Sequence, residues 1–350
     1  MLHTETALRR LRAQHLIGPL DASPLAAATW MGAIQAQDYG QALWAIGSRT
    51  ADARAAQVEQ AVVDAQILRT WTMRGTIHVV PARDANWIIA LCATRKIPAS
   101  ALRHKQLELD SRTFARSGDL FREHLQAPMS RPDIFAMLQR HGIATDGQRG
   151  YHILVYHGQC GLIVLGPMSG RQPTVVLHDA WVRDPVRLHP DEALREFARR
   201  YFLSHGPATI HDFARWTGLT LTDARRGHES IRGLMQDNVA MDALQKSDVP
   251  PLLLLAGFDE YLLGYKDRSA VLPAAHAGKV VPGMNGMFKA MLVEHGEVTG
   301  VWSKTAKAKG VEVELAFFAR SRRRLKVQID VACERYATFL GVPLLKCTMV

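Results

Sequence analysis

The feature that most constrains the fold is an apolar pattern in the middle of the chain. Its members recur at i, i+3, i+4, i+7 and i+8, and they are Leu194, Phe197, Ala198, Tyr201 and Phe202. This spacing places them on one face of an amphipathic helix that begins at about Pro190. Gly206-Pro207 ends the helix, because proline cannot continue it. The chain must bury this apolar face against further elements.

Two shorter helices are predicted directly after it. Thr209 can cap the second helix, and Thr220 or Thr222 can cap a third over about Asp223–Met235. The third helix carries the basic residues Arg225, Arg226, His228 and Arg232. Three helices joined by glycine turns predict a helix-turn-helix, and the strand-like run Leu252–Leu255 would begin its wing. A plain three-helix packing unit is the alternative.

The same order of helices followed by a hairpin is predicted twice in the preceding sequence. Near the N-terminus the elements are helices over Glu5–Leu16, Pro24–Ile34 and Arg54–Gln66 and strands over Leu68–Met73 and Thr76–Val80. In the next stretch they are helices over Asp133–Arg140 and Gly147–Gln159 and strands over Leu162–Leu165 and Thr174–Leu177. Helices followed by a hairpin are the order of a winged helix.

The C-terminal part has a different composition. Glycines cluster there between short strand-like runs such as Met291–Val293 and Val311–Phe318, which favours a small β-barrel or sheet. A closing helix is expected over about Ile329–Leu340. We therefore predict an α+β chain with three tandem winged-helix units over residues 1–82, 83–186 and 187–275. A β-barrel-like module over residues 276–350 follows them.

The charge of the chain favours a polyanionic partner. Lys and Arg total 43 against 33 acidic residues, a formal net charge of +10, and such a surplus attracts nucleic acid. The densest basic run comprises Arg320, Arg322, Arg323, Arg324 and Lys326. It is either a solvated charged face or a patch that follows phosphates. The charged start and the absence of an apolar run of roughly 20 residues predict a cytoplasmic protein with no membrane partner.

Several common chemistries lack their motifs. The sequence contains no phosphate-binding loop, dinucleotide fingerprint, zinc-protease helix or hydrolase nucleophile elbow. Its 15 histidines are scattered, and its four cysteines, Cys92, Cys160, Cys333 and Cys347, have no metal or redox spacing. We therefore expect no metal and no cofactor.

Four polar segments, taken in order, resemble the AlkZ-type DNA glycosylases. The first runs from Gly32 to Asp38 and contains a Gln-x-Gln element at Gln35 and Gln37, with a second match from Leu43 to Arg49. The second is an Arg-Gly-Thr-x-His hairpin from Trp71 to Val80, the third extends from Gly257 to Arg268, and the fourth from Asn285 to Trp302. The matches extend over nearly the whole chain. The related YcaQ-type enzymes have Asp in place of Gln37, so the chain is similar to the Gln-x-Gln branch.

The resemblance implies a C-shaped body of three winged helices and a β-barrel, with a basic concave face. It also implies removal of N-alkylated purines from double-stranded DNA, in some members including purines joined in interstrand crosslinks. In these enzymes both glutamines serve catalysis, so Gln35 and Gln37 inherit that role. Asp38 is the second choice, because an adjacent carboxylate could act as the base.

Glutamine chemistry sets a geometric condition. A purine alkylated at N7 or N3 is already cationic and leaves without protonation. The enzyme then needs a positioned water and electrostatic stabilisation, which amides can supply. Residues two apart on a helix point nearly opposite ways, so Gln35 and Gln37 can converge only in extended conformation. The helix from Pro24 should therefore end at about Ile34. In an extended segment Asp38 would face away from both amides.

Six further residues are candidates for DNA contact. They are Arg74, Thr76, His78, Tyr265, Lys266 and Arg268. For His78 the alternative is a structural histidine, and for Arg268 it is an ion pair with Asp259 that braces the barrel. The function expected is a monomeric DNA glycosylase that acts at the nucleoid. The alternative is a non-catalytic winged-helix DNA-binding protein or regulator, which would usually dimerise on palindromic sites.

Overall fold

The fold is mixed α+β, as predicted, and its strands form two β-sheets. The computed structural model describes residues 2–235, 249–284, 286–319 and 326–350. The basic run at 320–324 and Asn285 lie outside the described residues. Within the described ranges, every helix is too short or too polar to span a bilayer.

The longer helices are those that carry an apolar face or a good N-terminal cap. They are Leu2–Ala13, Pro24–Met31, Tyr39–Gly47, Ala55–Val63, Ser111–His124, Arg131–Arg140, Arg149–Gln159, Pro190–His205, Ile210–Thr217, Leu221–Ser230 and Lys326–Leu340. Shorter helical segments include Ala85–Ile88, Ala101–Gln106, His178–Trp181, Arg232–Met235, Glu260–Leu263 and Ala277–Val280. Side chains of Ser23, Asp38, Asp110, Ser130, Thr209 and Thr220 accept backbone N–H groups at helix starts.

The three-helix unit lies where the apolar pattern placed it. Pro190–His205 is followed by Ile210–Thr217 and Leu221–Ser230, and Gly218 joins the last two with a φ of 75°. That left-handed conformation suits glycine. The buried face of the first helix packs on Phe213 and Trp216 of the second. Among the described residues of 187–275, this unit has no hairpin of its own.

The first sheet contains six strands and joins the two N-terminal hairpins. Its strands are β1 (Ile34–Gln35), β2 (Ile67–Trp71), β3 (Ile77–Pro81), β4 (Met129–Ser130), β5 (Ile163–Ser169) and β6 (Gln172–Leu177). Their order is β1-β3-β2-β5-β6-β4, with every pair antiparallel. The β2–β3 and β5–β6 hairpins meet where Arg69 pairs with Leu165. The first two predicted units therefore share one sheet.

The second sheet contains five strands and is open at both edges among the described residues, so the predicted β-barrel closure is not found there. Its strands are β7 (Leu253–Leu255), β8 (Met291–Glu294), β9 (Glu297–Lys307), β10 (Gly310–Phe317) and β11 (Leu344–Met349), in the order β11-β10-β9-β8-β7. The β10–β11 pair is parallel. The expectation that Leu252–Leu255 begins a wing is wrong, because β7 pairs with β8 of this sheet.

Candidate active site

The segment that carries the two glutamines is extended. Helix Pro24–Met31 ends at Gly32, whose φ of 76° turns the chain and whose N–H bonds to the carbonyl of Ala28. Ile34 and Gln35 then form β1 and pair with Val79 and His78 of β3. The prediction that the helix stops before the Gln-x-Gln element is confirmed. The physical reason is the glycine cap, which only a residue without a Cβ adopts readily.

Gln35 and Gln37 both line one cavity of about 640 Å³. Gln35 is 7% exposed, whereas Gln37 is exposed. The Oε1 of Gln35 accepts the N–H of Gln37 at 3.3 Å, and the Oε1 of Gln37 accepts the N–H of Ile77 at 3.3 Å. These bonds orient both amide groups along the same wall. The two side chains thus converge, as an extended segment requires.

Asp38 lines the same cavity, so the prediction that it faces away from both amides is wrong, but its carboxylate has a structural role. Its Oδ1 accepts the N–H of Gln41 at 3.1 Å and so caps helix Tyr39–Gly47. Capping carboxylates are held in place by the helix start that they stabilise. This arrangement engages one oxygen of Asp38 in the fold, while the amides of its neighbours face the cavity.

The other walls of the cavity combine cations with apolar surface. The basic members are Arg74, Arg215 and Arg268, and the remaining residues are Thr76, Phe258, Leu263, Gly286, Met287 and Phe288. The guanidinium of Arg268 lies 5.0 Å from the ring centre of Phe288, within range of a cation–π contact. Three guanidinium groups at one opening favour a polyanion. The flat rings offer surface on which a base or its adduct can pack.

A completely buried carboxylate lies beneath Gln35. Oε1 of Glu260 accepts the N–H of Gln35 at 2.9 Å, and Oε2 accepts the indole N–H of Trp216 at 2.8 Å. Burial opposes the negative charge, but the N–H donors to its two oxygens and the positive charge of Arg74 favour it, and the pKa of Glu260 lies below its ordinary value. The carboxylate is therefore charged at neutral pH and is part of the floor of the site.

The turn of the first hairpin is folded inward. Arg74 has a φ of 57°, and its guanidinium donates to the carbonyl of Trp216 and lies 3.5 Å from Nε2 of His78. Arg74 can only donate, so Nε2 of His78 accepts and the proton of the neutral ring is on Nδ1, next to the carbonyl of Thr76 at 3.0 Å. Burial, with the charge of Arg74, lowers the pKa of His78 to about 3.

The family of this chain follows from a family model described as "DNA glycosylase AlkZ-like", which matches residues 28–339. The chain belongs to the AlkZ-like family of DNA glycosylases. It is 26% identical to an "Interstrand DNA cross-link repair glycosylase" of Streptomyces sahachiroi, in an alignment that covers 85% of this chain and 90% of the relative. The solved structure of the DNA glycosylase AlkZ of the same organism has the same fold, with a TM-score of 0.81 at 21% identity. That match covers 100% of this chain and 99% of the other.

Membership makes this protein an enzyme that acts on DNA. This excludes the purely non-catalytic regulator as its primary role. The AlkZ-like block from Gly257 to Arg268 includes three of the candidate DNA contacts, but two of its aromatic residues are turned inward. Tyr261 and Tyr265 are completely buried.

Tyr265 is an internal residue in this structure, so the expected DNA contact by its side chain is not found. Its hydroxyl donates to the carbonyl of His205 at 2.9 Å and accepts from Gln14 at 3.1 Å. The guanidinium of Arg10 covers its ring at 3.6 Å. His78 is likewise completely buried, which supports the structural alternative for it.

The remaining expected contacts are distributed differently. Arg74, Thr76 and Arg268 line the cavity. Lys266 is exposed and lies shortly before Arg268 in sequence. The expected Asp259–Arg268 ion pair is wrong. Arg268 donates to the carbonyl of Leu262 at 2.8 Å, and Asp259 instead accepts two bonds from the buried Arg49, at 2.8 and 3.0 Å.

Proposed function

We propose that this AlkZ-like chain is a monofunctional glycosylase that releases N7- and N3-alkylated purines from duplex DNA by attack of water at C1′. The observation that carries the proposal is the convergence of Gln35 and Gln37 on one wall of a cavity lined by three arginines. Two oriented amides can hold a water and a developing oxygen charge, while the arginines attract the phosphates.

The site has features suited to a leaving group that needs no acid. His78 is neutral at physiological pH because burial lowers its pKa to about 3, and the pKa of His205 is also lowered, chiefly by burial. Glu260 is charged and therefore cannot donate a proton. An alkylated purine carries its own positive charge and departs as a neutral base. Positioning and electrostatics are then sufficient.

The size and lining of the cavity support bulky lesions, including interstrand crosslinks. A volume of about 640 Å³ lies in the range of sites that enclose drug-sized ligands. Phe258 and Phe288 lie with ring centres 6.0 Å apart on its apolar side, where an aromatic adduct could stack. The Streptomyces sahachiroi relative is named for crosslink repair. We therefore include crosslinked purines among the proposed substrates.

DNA reaches the site along a basic concave face. In this proposal the winged-helix units form a C-shaped body that holds one duplex, so a monomer acts on a single lesion at the nucleoid. The cavity arginines Arg74, Arg215 and Arg268 supply cations at the site, and the exposed Lys266 supplies a further one. Phosphate contacts fix the register of the duplex, and the amides then reach the sugar of the lesion.

The test is base release from a duplex that contains one N7-methylguanine. We expect Gln37→Ala and Gln35→Ala each to slow single-turnover release by roughly 10²–10³-fold, the loss typical of one preorganised polar group. The matched control is Gln172→Ala, an exposed amide at the start of β6, which should change the rate by less than about twofold.

Asp38→Asn separates the amides from the carboxylate. Asparagine still caps a helix, so this variant keeps the fold and removes only the charge. We expect a loss below about tenfold. Absence of release by the wild-type protein, or equal release by the wild-type and Gln37→Ala proteins, would refute the proposal. A larger loss in Asp38→Asn than in Gln37→Ala would move the catalytic role to Asp38.

A further inference from the structure

Glu260 contacts the catalytic segment from the side opposite the cavity. It is 0% exposed and begins the short helix Glu260–Leu263, which Asp259 caps. We propose that Glu260 is a positioning residue for the glycosylase reaction: it fixes Gln35 in the catalytic orientation and places a permanent negative charge behind the reacting sugar. This inference rests on the proposed function and assigns to the site a residue that does not touch the cavity.

The geometry ties Glu260 to the backbone that carries the amides. Its Oε1 accepts the N–H of Gln35 at 2.9 Å, inside the two-residue strand β1. On its other side, the Gln35 Oε1 accepts the N–H of Gln37. A shift of Glu260 would therefore displace both amides, since the second takes its position from the first. Displacements of about 1 Å at a catalytic group can cost on the order of 10²-fold in rate.

The second oxygen of Glu260 is held equally firmly. Oε2 accepts the indole N–H of Trp216 at 2.8 Å. Trp216 is completely buried and packs against Phe197, Tyr201 and His205. The aromatic core of the three-helix unit thus anchors the carboxylate. Both oxygens are engaged by N–H donors, which favours the charged form.

The charges around Glu260 leave it as an anion at the floor of the site. Arg49 is neutralised by Asp259, with which it forms two hydrogen bonds. His205 and His78 have lowered pKa values, chiefly because of burial. Nε2 of His205 lies 4.0 Å from Oε2 and has no hydrogen-bond partner among the described residues. Arg74 faces Glu260 from the cavity wall and partly balances its charge.

A buried negative charge is useful in this reaction for a specific reason. When the cationic base leaves, positive charge moves onto the sugar, and a fixed anion nearby stabilises that change without reorganisation. Burying a carboxylate is otherwise costly, and an apolar residue would serve packing as well or better. The location of this one under Gln35 is accounted for by the reaction.

The first experiment compares Glu260→Gln with the wild-type protein in single-turnover release of N7-methylguanine and in affinity for a duplex with an abasic-site analogue. Glutamine keeps the shape but removes the charge, and its NH₂ must face one of the two N–H donors. We expect release to fall by about 100-fold and the Kd to change by less than about twofold. A purely structural defect would reduce both.

The matched control is Asp84→Asn. Asp84 is also a buried carboxylate that accepts a tryptophan indole N–H, from Trp87 at 3.1 Å, and it also pairs with an arginine, Arg200. It does not line the cavity. We expect Asp84→Asn to change release per folded molecule by less than about threefold. A similar loss in both variants would overturn the inference.

A double-variant cycle tests whether Glu260 acts through Gln35. In the Gln35→Ala background, Glu260→Gln should lose most of its effect and slow release by less than about fivefold more. Full multiplication of the two losses would contradict the positioning role, because independent groups add their effects.

Trp216→Phe keeps the test valid if Glu260→Gln does not fold. It removes one bond to the carboxylate and leaves its charge, so the pKa of Glu260 should rise. The acid limb of the release rate should then move to higher pH by about one unit. An unshifted acid limb would overturn the inference. If wild-type release and the Gln37→Ala loss are as proposed while Glu260→Gln retains full activity, the proposed function survives and this inference fails.

Discussion

The two hairpins of the first sheet have the same topology but different interiors. In the β2–β3 hairpin, four polar residues are buried: Arg69, Thr70, Thr72 and His78. In the β5–β6 hairpin, the buried positions are mostly apolar: Ile163, Val164, Leu165, Val175 and Val176. Both hairpins belong to one continuous antiparallel sheet and both bury apolar residues, so sheet formation alone does not explain the additional buried polar residues of the first.

The difference indicates where the fold buries polar groups, at a cost in stability, next to the candidate site. Buried polar groups are stabilising only when they are paired, and an apolar interior is the simpler solution. In the first hairpin, the N–H of Ile77 donates to Oε1 of Gln37, and His78 of β3 pairs with Gln35 of β1. Among the described residues, the hydrogen-bond partners given for the two glutamine side chains lie outside the second hairpin, which supports an apolar core. In the proposed function, the first hairpin therefore supports the reaction, whereas the second contributes to stability.

The largest expected effect is a loss of stability caused by a substitution in the second hairpin that leaves the first hairpin unchanged. Ile163→Ala removes a completely buried side chain from the core that contains Phe121 and Leu154. We expect the free energy of unfolding to fall by about 2–5 kcal/mol, as measured by denaturant unfolding. Release of N7-methylguanine per folded molecule should change by less than about twofold. A large rate loss in fully folded protein would show that the second hairpin also serves the reaction.

The next effect concerns pH. The folded pKa of His78 is about 3, against about 6.5 in an unfolded chain. The unfolded state takes up a proton as the pH falls through 6.5, while folded His78 stays neutral. Its stabilising contribution is therefore present above pH 6.5 and is lost as the pH falls towards 3. Between pH 7 and 5 the loss from this residue is about 2 kcal/mol, so His78→Gln should flatten the acid side of the stability curve by that amount.

His157 gives the control for that measurement. It lies in helix Arg149–Gln159 behind the second hairpin, and burial lowers its pKa to about 4. His157→Gln should flatten the acid side of the stability curve similarly. Only His78→Gln should slow base release at pH 7.5, by about threefold to tenfold, because Arg74 loses the imidazole acceptor and, among the described residues, is held only by the carbonyl of Trp216. Equal release by both variants would remove the catalytic distinction between the hairpins.

The smallest effect compares the arginines at the two hairpin turns. Arg74 lines the cavity, whereas Arg171 is exposed at the turn of the second hairpin. We expect Arg74→Gln to weaken binding to the abasic-site duplex by about twofold to fivefold and to reduce the slope of log Kd against log salt by up to about one. Arg171→Gln should leave the slope unchanged. Identical slopes for both variants would argue that Arg74 contacts only protein.

Local patterns predicted the first hairpin and the extended glutamine segment well. The strands expected over Leu68–Met73 and Thr76–Val80 are found as Ile67–Trp71 and Ile77–Pro81. The helix from Pro24 ends at Met31, before the Gln-x-Gln element. Both results depend on neighbours in sequence, namely a glycine cap and alternating apolar residues. Such signals are present in the residues themselves.

Non-local pairing was not predictable in the same way. The junction of Arg69 with Leu165 joins strands almost a hundred residues apart, and β11 pairs in parallel with β10 at the end of the chain. Nothing adjacent in sequence indicates that Glu260, rather than its neighbour Asp259, contacts Gln35. Arg215 and Phe258 enter the cavity only through tertiary packing. These features depend on which surfaces meet, and one sequence does not specify that directly.

The Arg69–Leu165 junction has a mechanical consequence. Two units that share ladder hydrogen bonds cannot swing apart like the halves of a clamp without breaking their common sheet. Between these two units, little of the flexibility needed for encounter is available from the protein, and deformation of the nucleic acid would supply it. Undamaged duplex resists bending and unstacking, whereas damaged positions deform at lower energy. A stiff enzyme of this kind would locate its targets at the positions where the duplex deforms at the lowest energy.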